Sequence, residues 1–183
     1  MKARRFVLAV LFGGALVAQT TTVFPQEYIN VPEGPHYERS LPLNLVNGRV
    51  QIVYEAIDLA IPTGQQILQV GFRADRHAET TNPYPGHSGP RTLGGLEIRM
   101  GYTTKTAASF TGTYANNYDT TPVTVFGPTN YTLPNLWDPA NPLPNGQFFI
   151  TLDTGFTYDP SRGNLVVEYR YNSRTLLGGT GAY

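Results

Sequence analysis

The sequence predicts an all-β protein, an antiparallel β-sandwich of jelly-roll-like kind, and three observations carry that expectation. Apolar residues recur at every second position in six or seven short segments, which is the period of a half-buried strand. Most of the 15 prolines and 19 glycines fall between those segments, where they punctuate turns and loops. No stretch after the N-terminus holds a convincing helical period, and strands without helices fold as sandwiches or barrels.

The chain opens on Lys2, Arg4 and Arg5, followed by residues 6–18 with no charged or polar side chain. A basic start, an apolar run and a small residue at Ala18 form the pattern of a secretory signal peptide, so 1–18 is expected to be removed. Thirteen apolar residues are too few for a membrane-spanning helix, which needs about 20, and no later segment supplies one. Residues 19–48 read as an extended Pro-rich lead-in, with Pro25, Pro32, Pro35 and Pro42 breaking any regular element. A sandwich domain over 49–172 and a flexible Gly-rich tail over 173–183 complete the expected organisation.

Within the domain, Val50, Ile52 and Tyr54 alternate with Gln51, Val53 and Glu55 as a first strand. After a short bridge at 57–62, residues 65–73 give a second, with Leu68, Val70 and Phe72 expected to face the core. Residues 74–95 read as a long loop, and Leu96, Ile98, Met100 and Tyr102 mark the third strand. The polar run 103–121 leaves room for one helical turn near 105–110. A short strand at 123–126, a second long loop at 127–146 and a strand at 148–153 follow. Residues 155–171 then write a turn and its outgoing strand in one run. Asp159-Pro160 suits the start of a type I turn, Gly163 and Asn164 tolerate positive φ, and Leu165, Val167, Tyr169 and Tyr171 alternate with Val166, Glu168 and Arg170. Glu97-x-Arg99 and Glu168-x-Arg170 occupy outward positions and would form a solvated cross-strand charge ladder if their strands are antiparallel neighbours.

Four of these segments, 49–56, 67–73, 96–100 and 156–165, together resemble a group of uncharacterised exported bacterial β-sandwich proteins that often carry PEP-CTERM-type sorting tails. The resembling features are an Arg-x-Gln-x-x-Tyr strand, a strand ending in Phe72-Arg73, and the Phe156-x-Tyr158-Asp159-Pro160-x-x-Gly163-Asn164-Leu165 turn. The resemblance implies a surface or extracellular sandwich with no known activity, so no catalytic residue is carried over. It also leads one to expect a further strand or two and an anchor beyond Tyr171, where this sequence has only Gly178, Gly179 and Gly181 in a short tail. Two readings stay open: a fragment, which the resemblance favours, or a sandwich that closes with fewer strands.

Composition narrows the function classes. Removal of the first 18 residues leaves ten basic against thirteen acidic side chains, a formal charge of −3, with no basic cluster to meet a polyanion, so nucleic acid is not an expected partner. Cysteine is absent, so an exported chain must be held by its core or by ions instead of disulfides. No cofactor is expected. A structural calcium would find hard oxygen donors in Asn116, Asn117, Asp119 and the 138–141 turn, although these Asx residues equally well build turns. His77, Glu79 and His87 match no zinc-ligand spacing, and the Asn130-Tyr131-Thr132 sequon reads as a chance match. A nucleophile elbow, a P-loop and a dinucleotide fingerprint are all missing.

Three function classes remain. The leading expectation is a structural or adhesive module of the bacterial envelope or extracellular matrix, meeting extracellular polysaccharide or other envelope proteins. The second is a carbohydrate-binding module using Tyr118, Tyr131 and Trp137 beside Asn117 and Asp119, because aromatic faces suit sugar C–H faces and amides or carboxylates suit hydroxyls. The third is a jelly-roll hydrolase drawing its paired carboxylates from Glu55, Glu97 and Glu168.

Overall fold

In the computed structural model, which describes residues 45–73, 90–134 and 147–177, the alternating segments form two antiparallel sheets. The larger sheet has the order β1 (Gly48–Tyr54), β6 (Asn164–Tyr171), β3 (Arg91–Thr103) and β4 (Val123–Leu133). β7 (Ser173–Leu176) pairs with the first part of β3. The smaller sheet pairs β2 (Gln66–Arg73) with β5 (Gln147–Thr157). The predicted all-β, sandwich-like architecture is therefore what the chain adopts. Among the described residues no helix is long and apolar enough to cross a membrane.

The inner positions of β3 (Leu96, Ile98, Met100) and β6 (Leu165, Val167, Tyr169) are buried against Phe148, Ile150 and Leu152 of β5. Full burial of each such side chain stabilises by about 1.5–3 kcal/mol. Aromatic rings join the layers: Phe72 lies 5.2 Å from Tyr169, and Tyr102 lies 5.5 Å from Phe156 and 6.0 Å from Tyr158.

Several strands depart from the expected bounds, each for a local reason. In β2, Val70 and Phe72 face the core, but Leu68 is 39% exposed and Ile67 packs inward in its place. The β2–β5 register shifts between Ile67 and Gln69, and a change of phase by one residue turns side chains to the other face. β3 begins at Arg91, inside the stretch expected as loop. Its buried residues include Arg91 and Leu93 before the Gly94-Gly95 pair and Leu96 and Ile98 after it, so no unbroken period of two spans the strand. Gly95 takes φ +65°, which favours glycine.

β7 is the continuation of β6. The pairs Glu97↔Arg170 and Gly94↔Ser173 keep one register across a break at Asn172, so strand pairing continues through Leu176, past residue 172. β4 runs on to Leu133 through Gly127 and Pro128, where the sequence suggested a loop from residue 127. It lies at the edge of its sheet, where a proline removes no ladder bond, and the Gly127 amide donates to Asp153 Oδ2 at 2.8 Å. β5 extends four residues past the expected residue 153.

The 155–171 run folds nearly as read. Asp159 caps a 3₁₀ turn at Pro160–Arg162, accepting from Ser161 N at 3.0 Å, and Gly163 takes φ +115°. Asn164 does not share the positive φ; it opens β6 and ties two neighbouring segments, accepting from Ala56 N at 2.9 Å and donating to Lys105 O at 2.8 Å. The helical turn expected near 105–110 is a 3₁₀ turn at Ala107–Ser109, joined by another at Tyr114–Asn117, and the 57–62 bridge holds a one-turn helix, α1 (Ala56–Leu59). The expected signal peptide and most of the lead-in lie outside the described residues, as do His77, Glu79, His87, Trp137 and residues 138–141.

Candidate functional site

The densest group of chemistry-bearing side chains lies on the outer face of the larger sheet, away from β5. Strand register builds it in two rows. One aligns Arg49, Arg170 and Glu97, and the other aligns Gln51, Glu168, Arg99 and Thr124. The antiparallel neighbourhood that the two charge pairs require is present. Arg170 forms a close ion pair with Glu97, with Nε donating to Oε2 at 2.6 Å, and Thr124 Oγ1 donates to the other Glu97 oxygen at 2.8 Å. Glu168 Oε2 accepts from Gln51 Nε2 at 2.6 Å and from Arg49 at 3.1 Å. Arg99 stands between the two carboxylates, 3.9 Å from each.

The carboxylates of the ladder are buried while Arg49 and Arg170 stay partly exposed, which corrects the expectation of a solvated ladder. Glu168 is 0% and Glu97 6% exposed, because segment 104–122 folds back across this face. The Tyr118 ring lies over Gly101, where an added Cβ would stand 2.8 Å from it, so the close approach depends on glycine. Asn117, within the segment, is buried on its sheet side. Its amide donates to Gln51 Oε1 at 3.0 Å and Thr111 O at 2.8 Å, while its oxygen accepts from Thr111 N at 2.9 Å. Tyr114 donates to Arg49 O, and the Arg49 guanidinium sits 4.4 Å from the centre of the Tyr114 ring. Asp119 fastens the return to β3, accepting from Thr104 N at 2.5 Å while its own amide donates to Tyr102 O at 3.0 Å.

The electrostatics follow from this enclosure. Burial by itself would raise the Glu97 carboxyl, but hydrogen bonds from Thr124 and Arg170 and the charges of Arg170 and Arg99 hold it below its usual range. Burial, helped by the Glu168 charge, pushes the Tyr118 phenol well above its ordinary value.

Of the residues considered for sugar binding, the structure gathers Asn117, Tyr118 and Asp119 in one segment. The amide of Asn117 is engaged inward, the exposed Asp119 carboxylate is held by Thr104 N, and Tyr118 OH points to Glu168 Oε2 at 3.5 Å. Tyr131 belongs to the opposite, core-facing side. It packs edge-on against Phe126 at 5.5 Å, and its hydroxyl points to Phe149 O at 3.5 Å. Trp137 lies outside the described residues. Sequence reasoning missed the part of Arg49 and Gln51 in this site, whose signals were their place on the polar phase of β1 and in the Arg-x-Gln-x-x-Tyr strand. Among the described residues no group of three or more histidines or carboxylates gathers as metal donors. Comparison with protein families, curated proteins and solved structures finds no match to this chain.

Proposed function

We propose that the chain is an exported, non-catalytic β-sandwich module of the bacterial cell envelope or extracellular matrix, structural or adhesive in kind. The observation that supports this reading is the fate of Glu97 and Glu168, two of the three carboxylates from which a jelly-roll hydrolase would draw its pair; the third, Glu55, accepts from Ala107 N at 3.3 Å. A glycosidase acid needs a carboxyl raised toward neutrality with access to substrate. Here Glu97 is lowered by its arginine and threonine partners, and Glu168 is sealed under Tyr118. The group works as a fastener between the sheet and the 104–122 segment. The N-terminal basic and apolar run supplies the export route, and the resemblance to exported sandwich proteins points the same way.

Expression of the full tagged chain in a bacterial host, with mass spectrometry of the product, tests export: cleavage after Ala18 and recovery outside the cytoplasm are expected. Incubation with a panel of polysaccharides should release no sugar. Release that disappears in both Glu97→Gln and Glu168→Gln would overturn the non-catalytic reading in favour of a hydrolase.

A further inference from the structure

The two oxygens of Glu168 are treated unequally. Oε2 accepts from Gln51 and Arg49, whereas Oε1 is fully buried and has no hydrogen-bond partner among the described residues. A buried carboxylate oxygen left without a donor bears the whole cost of its lost hydration, so folded proteins answer nearly all such atoms with a protein group or an ordered water. The facing donor is Arg99 Nη1 at 3.9 Å, beyond the reach of a direct N–H···O bond, which ends at about 3.2 Å. On the same guanidinium Nε is buried without a hydrogen-bond partner and stands 3.9 Å from Glu97 Oε1. Arg99 is therefore held between the two carboxylates and bonded to neither.

The separation and the chemistry at its two ends define what fits. An oxygen about 2.8 Å from both Glu168 Oε1 and Arg99 Nη1 sees them at an angle of about 90°, close to the directions in which water bonds. The bridging group must donate to a carboxylate and accept from a guanidinium. Glu168 repels an anion and Arg99 repels a cation, so the group is neutral. Glu168 is 0% exposed beneath Tyr118, so the group is also small. Glu97 makes no such demand, because its Oε1 accepts from Thr124 and its Oε2 from Arg170.

We propose that an internal water bridges Glu168 Oε1 and Arg99 Nη1 as a permanent member of the charge ladder. It donates to the carboxylate and accepts from the guanidinium, which gives it the two polar partners that a buried water needs at the least. Through this water Arg99 serves Glu168 without leaving Glu97, and the two rows of the ladder are joined at their centre. The inference goes beyond the envelope reading above and stands on the geometry of the ladder alone.

A crystal structure of the full chain, at a resolution that shows ordered solvent, tests it directly. Density is expected for one water about 2.6–3.2 Å from both Glu168 Oε1 and Arg99 Nη1. In solution, oxygen-17 relaxation dispersion should count that molecule among the long-lived waters, and Arg99→Met, which removes its donor, should lower the count by one while unfolding stays cooperative. A direct bond between Arg99 and Glu168 Oε1 with no intervening density would overturn the proposal, as would a folded Arg99→Met variant that keeps every long-lived water of the wild type. If that variant does not fold, the wild-type crystal structure decides alone. Neither measurement depends on where the protein is recovered or on what it binds.

Discussion

Replacing Glu168 by glutamine keeps its shape and removes its charge, and the consequence can be worked from its surroundings. The carboxylate accepts two hydrogen bonds, from Gln51 and Arg49, and faces Arg99 at 3.9 Å. A hydrogen bond to a charged group contributes about 1.5–3 kcal/mol against about 1 for a neutral one, so two bonds lose roughly 1–2 kcal/mol. Arg99, with its side chain only 22% exposed, loses one of its two counter-charges, whereas Arg49 at 40% rehydrates easily. Breaking a fully buried pair costs about 3–5 kcal/mol, and the partial exposure of both arginines brings the expected loss to about 2–3 kcal/mol. For a domain of this size that lowers the melting temperature by about 5–10 °C. Thermal and urea unfolding at neutral pH measure it, and hydrogen exchange should show the amides of segment 104–122 losing protection first. A melting temperature within about 1 °C of wild type would place the ladder among ordinary surface ion pairs and refute the account of the segment as fastened by Glu168.

Gly163→Ala puts a side chain at φ +115° with its Cβ 2.6 Å from the Thr103 carbonyl oxygen; urea unfolding should show a loss of about 2–3 kcal/mol, and a neutral outcome would contradict the turn geometry. The lowered Glu97 carboxyl gives stability that is present above its unfolded-state value of 4.5 and is lost as pH falls through the folded one, so unfolding followed by pH should weaken below about pH 5. Arg170→Gln should flatten that acid slope. Tyr118 and Tyr169 are raised by burial, in Tyr169 with the Tyr54 charge adding to it, so their contribution is present below 10.0 and disappears as pH rises through the higher folded value. In an alkaline titration of phenolate absorbance these two should ionise last; simultaneous ionisation of all twelve tyrosines in the folded protein would contradict their burial.

The sandwich was legible wherever a strand keeps one phase and hides one face. β1 and β6 were placed within a residue or two because Val50-x-Ile52-x-Tyr54 and Leu165-x-Val167-x-Tyr169 repeat without interruption, and β2 kept its bounds but lost its phase at Leu68. β3 and β4 were shortened because Gly94-Gly95 and Gly127-Pro128 look like breaks, yet each pair sits inside a ladder as an irregularity of register. The charge ladder was legible as a pairing but not in its burial. Nothing in a period of two announces that a third layer, the Tyr114 to Asp119 stretch, will cover the polar phase.

The edge strand β4 has a consequence for the chain's behaviour at high concentration. A free sheet edge offers a foreign strand a row of amides on which to grow. At the middle of β4 the Gly127 amide is already taken by Asp153, and the next residue, Pro128, has no amide to give. The run of donors that edge-to-edge stacking of copies would need is thereby interrupted at this point of the strand. The irregularity that hid this strand from sequence reading also guards the protein against aggregation through it.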